Sequence, residues 1–263
     1  MRLDTASIAS LAEQLEAAEL GAQAITKITD AYPDLDWDDA YAIQAGIRQR
    51  KESRGQRVIG YKAGLTSRAK MQQMGVSTPV FGLLFDYMKV PAGDSVDTGA
   101  LIHPKVEAEV AFVLKRALRG PGCHIGSVLA ATDFVMPAVE VIDSRYQNFR
   151  FDLQSVIADN TSASRFVAGG RRISELAGLD LRTLGIVLEK NGEIVALAAG
   201  AAVLGHPAAA VAMLANHLSL RGEELPAGSF IMTGGITEAI PVTAGDAINV
   251  RFQELGNLSI RFI

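Results

Sequence analysis

The chain has 263 residues, of which 49% are hydrophobic and 21% are charged, and this length is enough to bury a large core. With 25 Lys and Arg against 29 Asp and Glu the formal charge is -4, and no basic block is present, so we expect a small-molecule partner and no nucleic acid. Cys123 is the single cysteine, so no internal disulfide can form. The first residues lack a secretory signal pattern, and we expect a cytoplasmic protein.

The first 55 residues are predicted to form a helical layer. Apolar residues recur at helical spacing in two segments, at Ile8, Leu11 and Leu15 and again at Ala40, Ile43 and Ile47. The second segment follows a break at Tyr32-Pro33, and Asp36 can cap its helix. Gly55, after a basic last turn, is a typical stop signal.

From about Val58 the hydrophobic period changes from helical to two. Apolar residues alternate from Val106 to Leu114, which predicts a strand with Glu107 and Glu109 on one face. A second apolar run, Val135 to Ile142, contains a lone acid, Glu140.

The C-terminal half is predicted to contain further strands and one helix. Asn191-Gly192 separates the segments Gly185–Lys190 and Glu193–Leu197, and this dipeptide strongly favours a two-residue hairpin turn. Near the end, two alternating segments are predicted to pair, the first with Ile248, Val250 and Phe252 and the second with Leu258, Ile260 and Phe262.

One segment without charges, Ile194 to Leu220, exceeds the roughly 20 residues that cross a bilayer. It is mostly Ala and Gly, and His206-Pro207 interrupts it, which predicts the end of a strand followed by a new helix. We therefore expect no membrane span. No repeat or linker divides the chain, so the sequence predicts one α+β domain over residues 1–263, with a helical layer (1–55) on a β-rich catalytic core (56–263).

The strongest chemical signal is the glutamate pair 107 and 109, whose carboxylates leave the same strand face about 7 Å apart. A solvated strand face and a cation site are the two interpretations. Glu140 favours the second, because an acid in a buried strand is costly unless it is paired or bound to a metal. Three carboxylates without a Cys or His cluster indicate Mg²⁺ or Mn²⁺ in preference to Zn²⁺. His103 is either a further ligand or a turn residue before Pro104.

Lys62, between Gly60 and Gly64 where a strand ends, is either an exposed loop lysine or a group that holds a substrate carboxylate. The nearby Ser67-x-x-Lys70 pattern lacks the partner motifs of a serine nucleophile. Thr66 or Ser67 is predicted to cap a helix that runs through Met74. Two polar runs, Asp143–Arg145 and Asp159–Arg165, are either surface loops or the lining of a pocket.

Several motifs in fixed order resemble the hydratase/decarboxylase branch of the fumarylacetoacetate hydrolase superfamily. They are Lys62–Thr66, Pro104–Ala111, Ala138–Arg145, Ala158–Asn160, Leu204–Pro207 and Thr233–Gly235. The resemblance implies the mixed β-roll fold of that family and a divalent cation held by Glu107, Glu109 and Glu140. It also implies that Lys62 is catalytic and that substrate contacts come from Lys62, Leu65, Asp159, Asn160, Ser162 and Thr233.

Within that branch, the segments Ile142–Leu153 and Gly234–Ala239 resemble the decarboxylases, and Val80 stands where the hydratases tend to carry an acid. The implied reaction is the decarboxylation of 2-oxo-3-hexenedioate to 2-hydroxypenta-2,4-dienoate and CO₂ in aromatic meta-cleavage catabolism. A cation bound by the 2-oxo oxygen and the C1 carboxylate would stabilise the dienolate.

Three alternatives remain: a 2-hydroxypenta-2,4-dienoate hydratase, an acylpyruvate hydrolase and a non-enzymatic binding module. The hydrolase typically needs a His-Glu pair near the N-terminus, and residues 1–60 contain no histidine. The resemblance further implies a homo-oligomer and a complex with the vinylpyruvate hydratase that consumes the product.

Overall fold

The structure is a computed structural model that describes residues 2–67, 71–72 and 79–263. Within these ranges the longer helices are α1 (Thr5–Leu20), α2 (Trp37–Ser53), α3 (Ile125–Ala131), α4 (Leu153–Ala158) and α5 (Pro207–Ser219). The segment predicted to be capped by Thr66 or Ser67 and to run through Met74 lies largely outside the described residues.

Both predicted N-terminal helices are confirmed, and local hydrogen bonds explain where they begin. Asp4 accepts from Ser7 N–H at the start of α1. Asp36 and Asp39 form a reciprocal capping box at the start of α2. The buried carboxylate of Asp39 also accepts the backbone N–H groups of Arg2 and Leu3, which fastens the N-terminal residues to α2.

The strands form two sheets. In chain order they are β1 (Val58–Gly64), β2 (Val80–Phe85), β3 (Lys89–Val90), β4 (Ser95–Val96), β5 (Lys105–Leu114), β6 (Thr132–Ile142), β7 (Ala163–Ala168), β8 (Gly185–Lys190), β9 (Glu193–Ala199), β10 (Phe230–Met232), β11 (Ile240–Pro241), β12 (Ala247–Phe252) and β13 (Gly256–Phe262). The larger sheet has the order β2-β1-β10-β5-β6-β7-β3, with β11 also paired to β5, and the smaller one has the order β4-β13-β12-β8-β9.

The larger sheet is mixed: β1 runs parallel to β10, while β5 pairs antiparallel with both β10 and β6. The long pair β5 and β6 is buried along almost its whole length. This arrangement places the beginning of β5 and the end of β6 at the end of the sheet where β1 and β10 have their C-terminal ends. The α+β fold expected from the sequence is confirmed.

The smaller sheet confirms both predicted hairpins. Asn191 and Gly192 both have positive φ, 55° and 85°, as the turn between β8 and β9 requires. The second strand continues to Ala199, two residues beyond the predicted end. In the C-terminal hairpin Ile248 pairs with Ile260 and Val250 with Leu258, as the alternation predicts.

The charge-free segment divides between β9 and α5, and the predicted break is confirmed. His206 caps α5, with Nδ1 accepting from Ala208 N–H at 3.0 Å. The stretch Gly200–Ser219 is the one place in the described ranges where a helix is long and apolar enough to cross a membrane, and 50% of its apolar window is buried inside the structure. A core helix of a soluble protein meets the same criterion.

The N-terminal helices pack on the larger sheet through a shared apolar cluster. Residues from α1 and α2 join others from β2, α4 and the segment between β6 and α4 in this cluster: Leu11, Leu15, Ile43, Ile47, Val80, Tyr146, Val156 and Ile157. The helical layer therefore contains α4 as well as the first 55 residues, and it packs against β2.

Candidate metal centre and active site

Three glutamates meet where β5 and β6 pair. Glu107 and Glu109 are two residues apart on β5 and so share a face, and Glu140 on β6 is the register partner of Glu107. Each offers a carboxylate oxygen, and these oxygens all lie within 4.8 Å of one another. The residues are only 8%, 0% and 1% exposed, so the alternative of a solvated strand face is wrong.

The electrostatics of this cluster favour a bound cation. Burial, together with the charges of Glu140 and Glu107, raises the pKa of Glu109 well above its ordinary value. Burial also raises the pKa of Glu140, against the opposing charge of Lys62. Glu109 accepts one bond, from Gly234 N–H at 2.7 Å, whereas Glu109 Oε1 and Glu140 Oε1 have no hydrogen-bond partner among the described residues. Buried, unpaired carboxylate oxygens are the donor set that hard divalent cations prefer.

Lys62 lies inside β1 and adjoins the glutamates, so the alternative of an exposed loop lysine is wrong. It is 3% exposed. Its Nζ lies 2.8 Å from Glu140 Oε2 and donates to the carbonyl oxygen of Thr161 at 3.0 Å. Among the described residues Lys62 is the ammonium that adjoins the cluster, and one positive charge cannot balance both fully buried carboxylates, those of Glu109 and Glu140. These groups therefore retain an affinity for further positive charge.

The turn that carries Thr161 has an unusual backbone. Residues Asn160, Thr161 and Ser162 have φ of 48°, 56° and 57°, a left-handed conformation that is costly for residues other than glycine and most of all for a β-branched one. Gly64 and Gly82 leave the room for it. A Cβ at Gly64 would lie 2.5 Å from Thr161 Cγ2, and one at Gly82 would lie 2.7 Å from the carbonyl oxygen of Asn160. This packing holds the Thr161 carbonyl against Lys62.

A cavity of about 580 Å³ opens beside these groups, a size that suits a small organic acid. Polar residues that line it include Lys62, Lys105 and Glu107, and apolar ones include Ile142, Phe149, Phe151 and Val156. A second cavity of about 570 Å³ lies between α2 and α5 and contains none of the predicted site residues.

Among the predicted substrate-binding residues, Lys62, Leu65 and Ser162 line the cavity. Asp159 does not, because it is 1% exposed and its carboxylate accepts from the guanidinium and the backbone N–H of Arg145. Asp159 thus holds the polar run 143–145 against the run 159–165. Both runs are mostly buried, so they are not surface loops.

Asn160 and Thr233 also bind the backbone rather than line the cavity. Asn160 accepts from Leu83 N–H at 2.8 Å and donates to the Leu83 carbonyl at 2.9 Å. Thr233 Oγ1 donates to the carbonyl of Val110 at 2.8 Å. A role of Asp159, Asn160 or Thr233 in binding substrate stays a prediction, and the contacts of all three stabilise the walls of the site.

Sequence reasoning did not single out several residues that line the cavity, among them Lys105, Phe149, Phe151 and Glu238. Lys105 carried a usable signal, since it precedes Glu107 by two residues on the same strand face. His103 is a bend residue that lies outside the glutamate cluster. Its ring packs 5.1 Å from that of Phe149 and its backbone N–H donates to Asp143 at 2.8 Å, which agrees with the turn interpretation.

Comparison with known proteins identifies the family. Residues 63–263 match the family model "Fumarylacetoacetate (FAA) hydrolase C-terminal". The chain is 64% identical over 256 residues to a 4-oxalocrotonate decarboxylase of Pseudomonas sp. (strain CF600), covering 97% of each chain. It is 38% identical over 261 residues to a 2-hydroxyhexa-2,4-dienoate hydratase of Comamonas testosteroni, covering 98% of each.

A solved structure shows the same architecture. It is 4-oxalocrotonate decarboxylase from Pseudomonas putida G7, complexed with magnesium and adipate, which superposes with a TM-score of 0.97 at 59% identity and 99% coverage of both chains. The family predicted from the sequence motifs is confirmed. This chain belongs to the fumarylacetoacetate hydrolase family.

Proposed function

We propose that this chain is a carboxy-lyase that decarboxylates 2-oxo-3-hexenedioate (4-oxalocrotonate) to 2-hydroxypenta-2,4-dienoate and CO₂ in the meta-cleavage catabolism of aromatic compounds. The observation that carries the proposal is the buried glutamate cluster next to Lys62, with Glu107 and Lys62 lining a cavity, in a chain 64% identical to a 4-oxalocrotonate decarboxylase. The adipate bound in the solved relative is a six-carbon dicarboxylate, as is the proposed substrate.

Glu107, Glu109 and Glu140 would hold Mg²⁺ or Mn²⁺, and three protein oxygens leave about half of an octahedron for substrate and water. A divalent cation in that place supplies positive charge to the 2-oxo oxygen of the substrate, where negative charge develops as CO₂ leaves. Glu140 has a second task, because its contact with Lys62 fixes the ammonium at the edge of the cavity.

Lys62 is placed to bind a substrate oxygen. An ammonium has three N–H donors, and two acceptors, Glu140 Oε2 and the Thr161 carbonyl, lie within 3.0 Å of Nζ. One N–H is left for the cavity. Lys62 thereby orients the substrate and holds a proton at Nζ close to the conjugated chain, where the dienolate formed on loss of CO₂ must be neutralised.

The apolar wall of the cavity assists the departure of CO₂. Ile142, Phe149, Phe151 and Val156 line the cavity, and apolar surroundings favour the neutral CO₂ over the charged carboxylate from which it forms. Val80 is fully buried in the apolar cluster beneath α2, so no acid stands there to guide the addition of water.

Incubation of the purified chain with 2-oxo-3-hexenedioate and Mg²⁺ tests the proposal, with CO₂ release and dienol absorbance followed together. We expect both to appear and to stop when the cation is chelated. Rapid conversion of 2-hydroxypenta-2,4-dienoate to 4-hydroxy-2-oxopentanoate, without CO₂ from the diacid, would assign the chain to the hydratases.

The cation ligands are tested separately with Glu140→Gln, which keeps the shape of the side chain and removes its charge. We expect the affinity for Mg²⁺, measured by calorimetry, to fall at least tenfold, because one of three anionic ligands is lost. Glu189→Gln, which alters a glutamate on β8 in the other sheet, is the matched control. A wild-type Mg²⁺ titration for Glu140→Gln would contradict the three-carboxylate site.

We further propose a single cooperative domain over residues 1–263, in a cytoplasmic homo-oligomer that associates with the hydratase acting on its product. The apolar cluster shared by the helical layer and the larger sheet supports the first point. The exposed side chains of Ile194, Val195 and Leu197 on the edge strand β9 support a protein contact. A single thermal transition, and light scattering of the chain with and without the hydratase, test these points.

A further inference from the structure

A second lysine lies on the same strand face as the cation ligands. Lys105, Glu107 and Glu109 occupy alternate positions at the start of β5, and successive positions on one face of a strand are about 7 Å apart. Lys105 and Glu107 both line the cavity. The cavity therefore borders the glutamate cluster at Glu107 and the ammonium of Lys105 about one step further along β5.

The surroundings of Lys105 leave its charge open to an anion. Its Nζ lies 4.0 Å from the centre of the Phe149 ring, a favourable contact that leaves room for a carboxylate. No carboxylate of the described ranges forms a salt bridge with Lys105, and the other acid on the cavity rim, Glu238, is exposed. Lys62 differs, since Glu140 already provides its counter-charge.

The contact with Phe149 is built into the backbone. Asn148 and Phe149 have φ of 56° and 58°, a conformation that large side chains rarely adopt. The ring is held between His103, at 5.1 Å, and Phe151, at 5.9 Å between centroids. This strained turn positions the ring against the Lys105 ammonium.

The spacing matches the length of the proposed substrate. Five C–C bonds separate the terminal carbons of a six-carbon diacid, about 6 Å in extended form. If the 2-oxo acid end lies at the glutamate cluster, the other carboxylate reaches the next position on β5. We propose that Lys105 binds this distal carboxylate, the one lost as CO₂, and makes the site select six-carbon dicarboxylates over monocarboxylates. This inference rests on the proposed function.

The ion pair would exist in the bound substrate and weaken as the carboxylate becomes neutral CO₂. Lys105 therefore contributes to binding more than to the chemical step, and its loss should raise KM while changing kcat little. Lys62, by contrast, is placed to hold the proton that neutralises the dienolate left after CO₂ departs, so its loss should lower kcat.

The experiment compares adipate with hexanoate, which has the same chain length and one carboxylate fewer. Their dissociation constants are measured by calorimetry at saturating Mg²⁺ for wild type, Lys105→Met, Lys105→Arg and the control Lys115→Met, which alters an exposed lysine just after β5. We expect Lys105→Met to weaken adipate about ten- to hundredfold and hexanoate little. Lys105→Arg and Lys115→Met should stay near wild type.

Equal affinity of wild type and Lys105→Met for adipate, or an equal loss for both ligands, would overturn the inference. Lys105→Glu provides a second variant, which should bind adipate more weakly than Lys105→Met does, and equal binding by these two variants also overturns it. These measurements require no turnover. Absence of CO₂ release from wild type would refute the proposed function while leaving the adipate result to decide the role of Lys105.

Discussion

Two buried ion pairs lie close together in this molecule, and they differ in how completely their polar atoms are satisfied. Arg145 and Asp159 are 3% and 1% exposed, as are Lys62 and Glu140. The guanidinium of Arg145 also donates to the carbonyl oxygens of Asp143, Ala163 and Asp159. The Lys62 pair instead adjoins a second buried acid, Glu109, and includes carboxylate oxygens without partners among the described residues.

The difference separates a structural pair from a functional one. One positive and one negative charge with all their hydrogen bonds made form a closed unit that fixes two loops. A pair with surplus negative charge and unused oxygens is incomplete, and it gains free energy from a cation or a substrate. Burial alone does not distinguish the two cases, whereas the balance of charges and partners does.

The largest expected effect comes from breaking the closed pair. Arg145→Met removes the counter-charge of Asp159, whose pKa burial already raises to about 6, and it leaves the acceptors of the guanidinium unpaired. We expect a loss of about 3–5 kcal/mol in the free energy of unfolding, measured by urea denaturation. The exposed Arg251→Met is the matched control, and a loss below about 1 kcal/mol for Arg145→Met would contradict a structural role.

A smaller effect is expected at the pair of Lys62 and Glu140, where a substitution should change turnover and leave stability nearly unchanged. Lys62→Met keeps the aliphatic stem and removes the ammonium that faces the cavity. We expect kcat/KM to fall by one to two orders of magnitude, or about 1.5–3 kcal/mol of transition-state binding. The measurement is steady-state CO₂ release, together with the Mg²⁺ affinity and the thermal midpoint. Wild-type kinetics, or loss of the fold, would contradict the catalytic role.

The smallest effect concerns a titratable group that forms no ion pair with a carboxylate of the described residues. His217 on α5 packs against Tyr41 and Phe81, and burial, with a contribution from Arg221, lowers its pKa from 6.5 to about 4. As the pH falls, the unfolded chain therefore takes up a proton at His217 before the folded chain does. Neutral, buried His217 contributes its full stabilisation above pH 6.5, and this contribution is lost as the pH falls towards 4.

Because His217 is partly exposed, we expect only about 1 kcal/mol, or about 2–4 °C in thermal midpoint, between about pH 7 and pH 5. His217→Phe should flatten the dependence on pH, and the exposed His124→Gln should not. An equal slope for wild type and His217→Phe would show that burial does not hold His217 neutral.

Structural features that depend on residues close together in the sequence were predictable. Alternation placed Glu107 and Glu109 on one face, and the apolar run around Glu140 indicated burial, so the amino-acid sequence alone was enough to group these residues. The Asn191-Gly192 hairpin and the capping of α2 by Asp36 are equally local. That the three glutamates bind the cation remains a proposal.

Roles that depend on distant partners were not predictable. Asn160 and Thr233 belong to family motifs, yet their side chains bind the backbone of Leu83 and Val110. Whether a polar residue faces a cavity or a main-chain group is decided by strands that lie far away in sequence. For the same reason Lys62 was expected at the end of a strand, while Glu140 and Thr161 enclose it within the sheet.

The residues of the site lie far apart in the sequence, and this separation has a consequence for folding. Lys62 and its acceptor Thr161 are 99 positions apart, and β1 reaches β5 only through β10, near the C-terminal end. Contacts of such high sequence separation form late, since each must first overcome the entropy of closing a long loop. A partly synthesised chain lacks β10 and hence the complete sheet. The complete site, in which Lys62 lies beside Glu140, should therefore form only when synthesis and folding are finished, and a ligand bound there should slow global unfolding more than local opening of the helical layer.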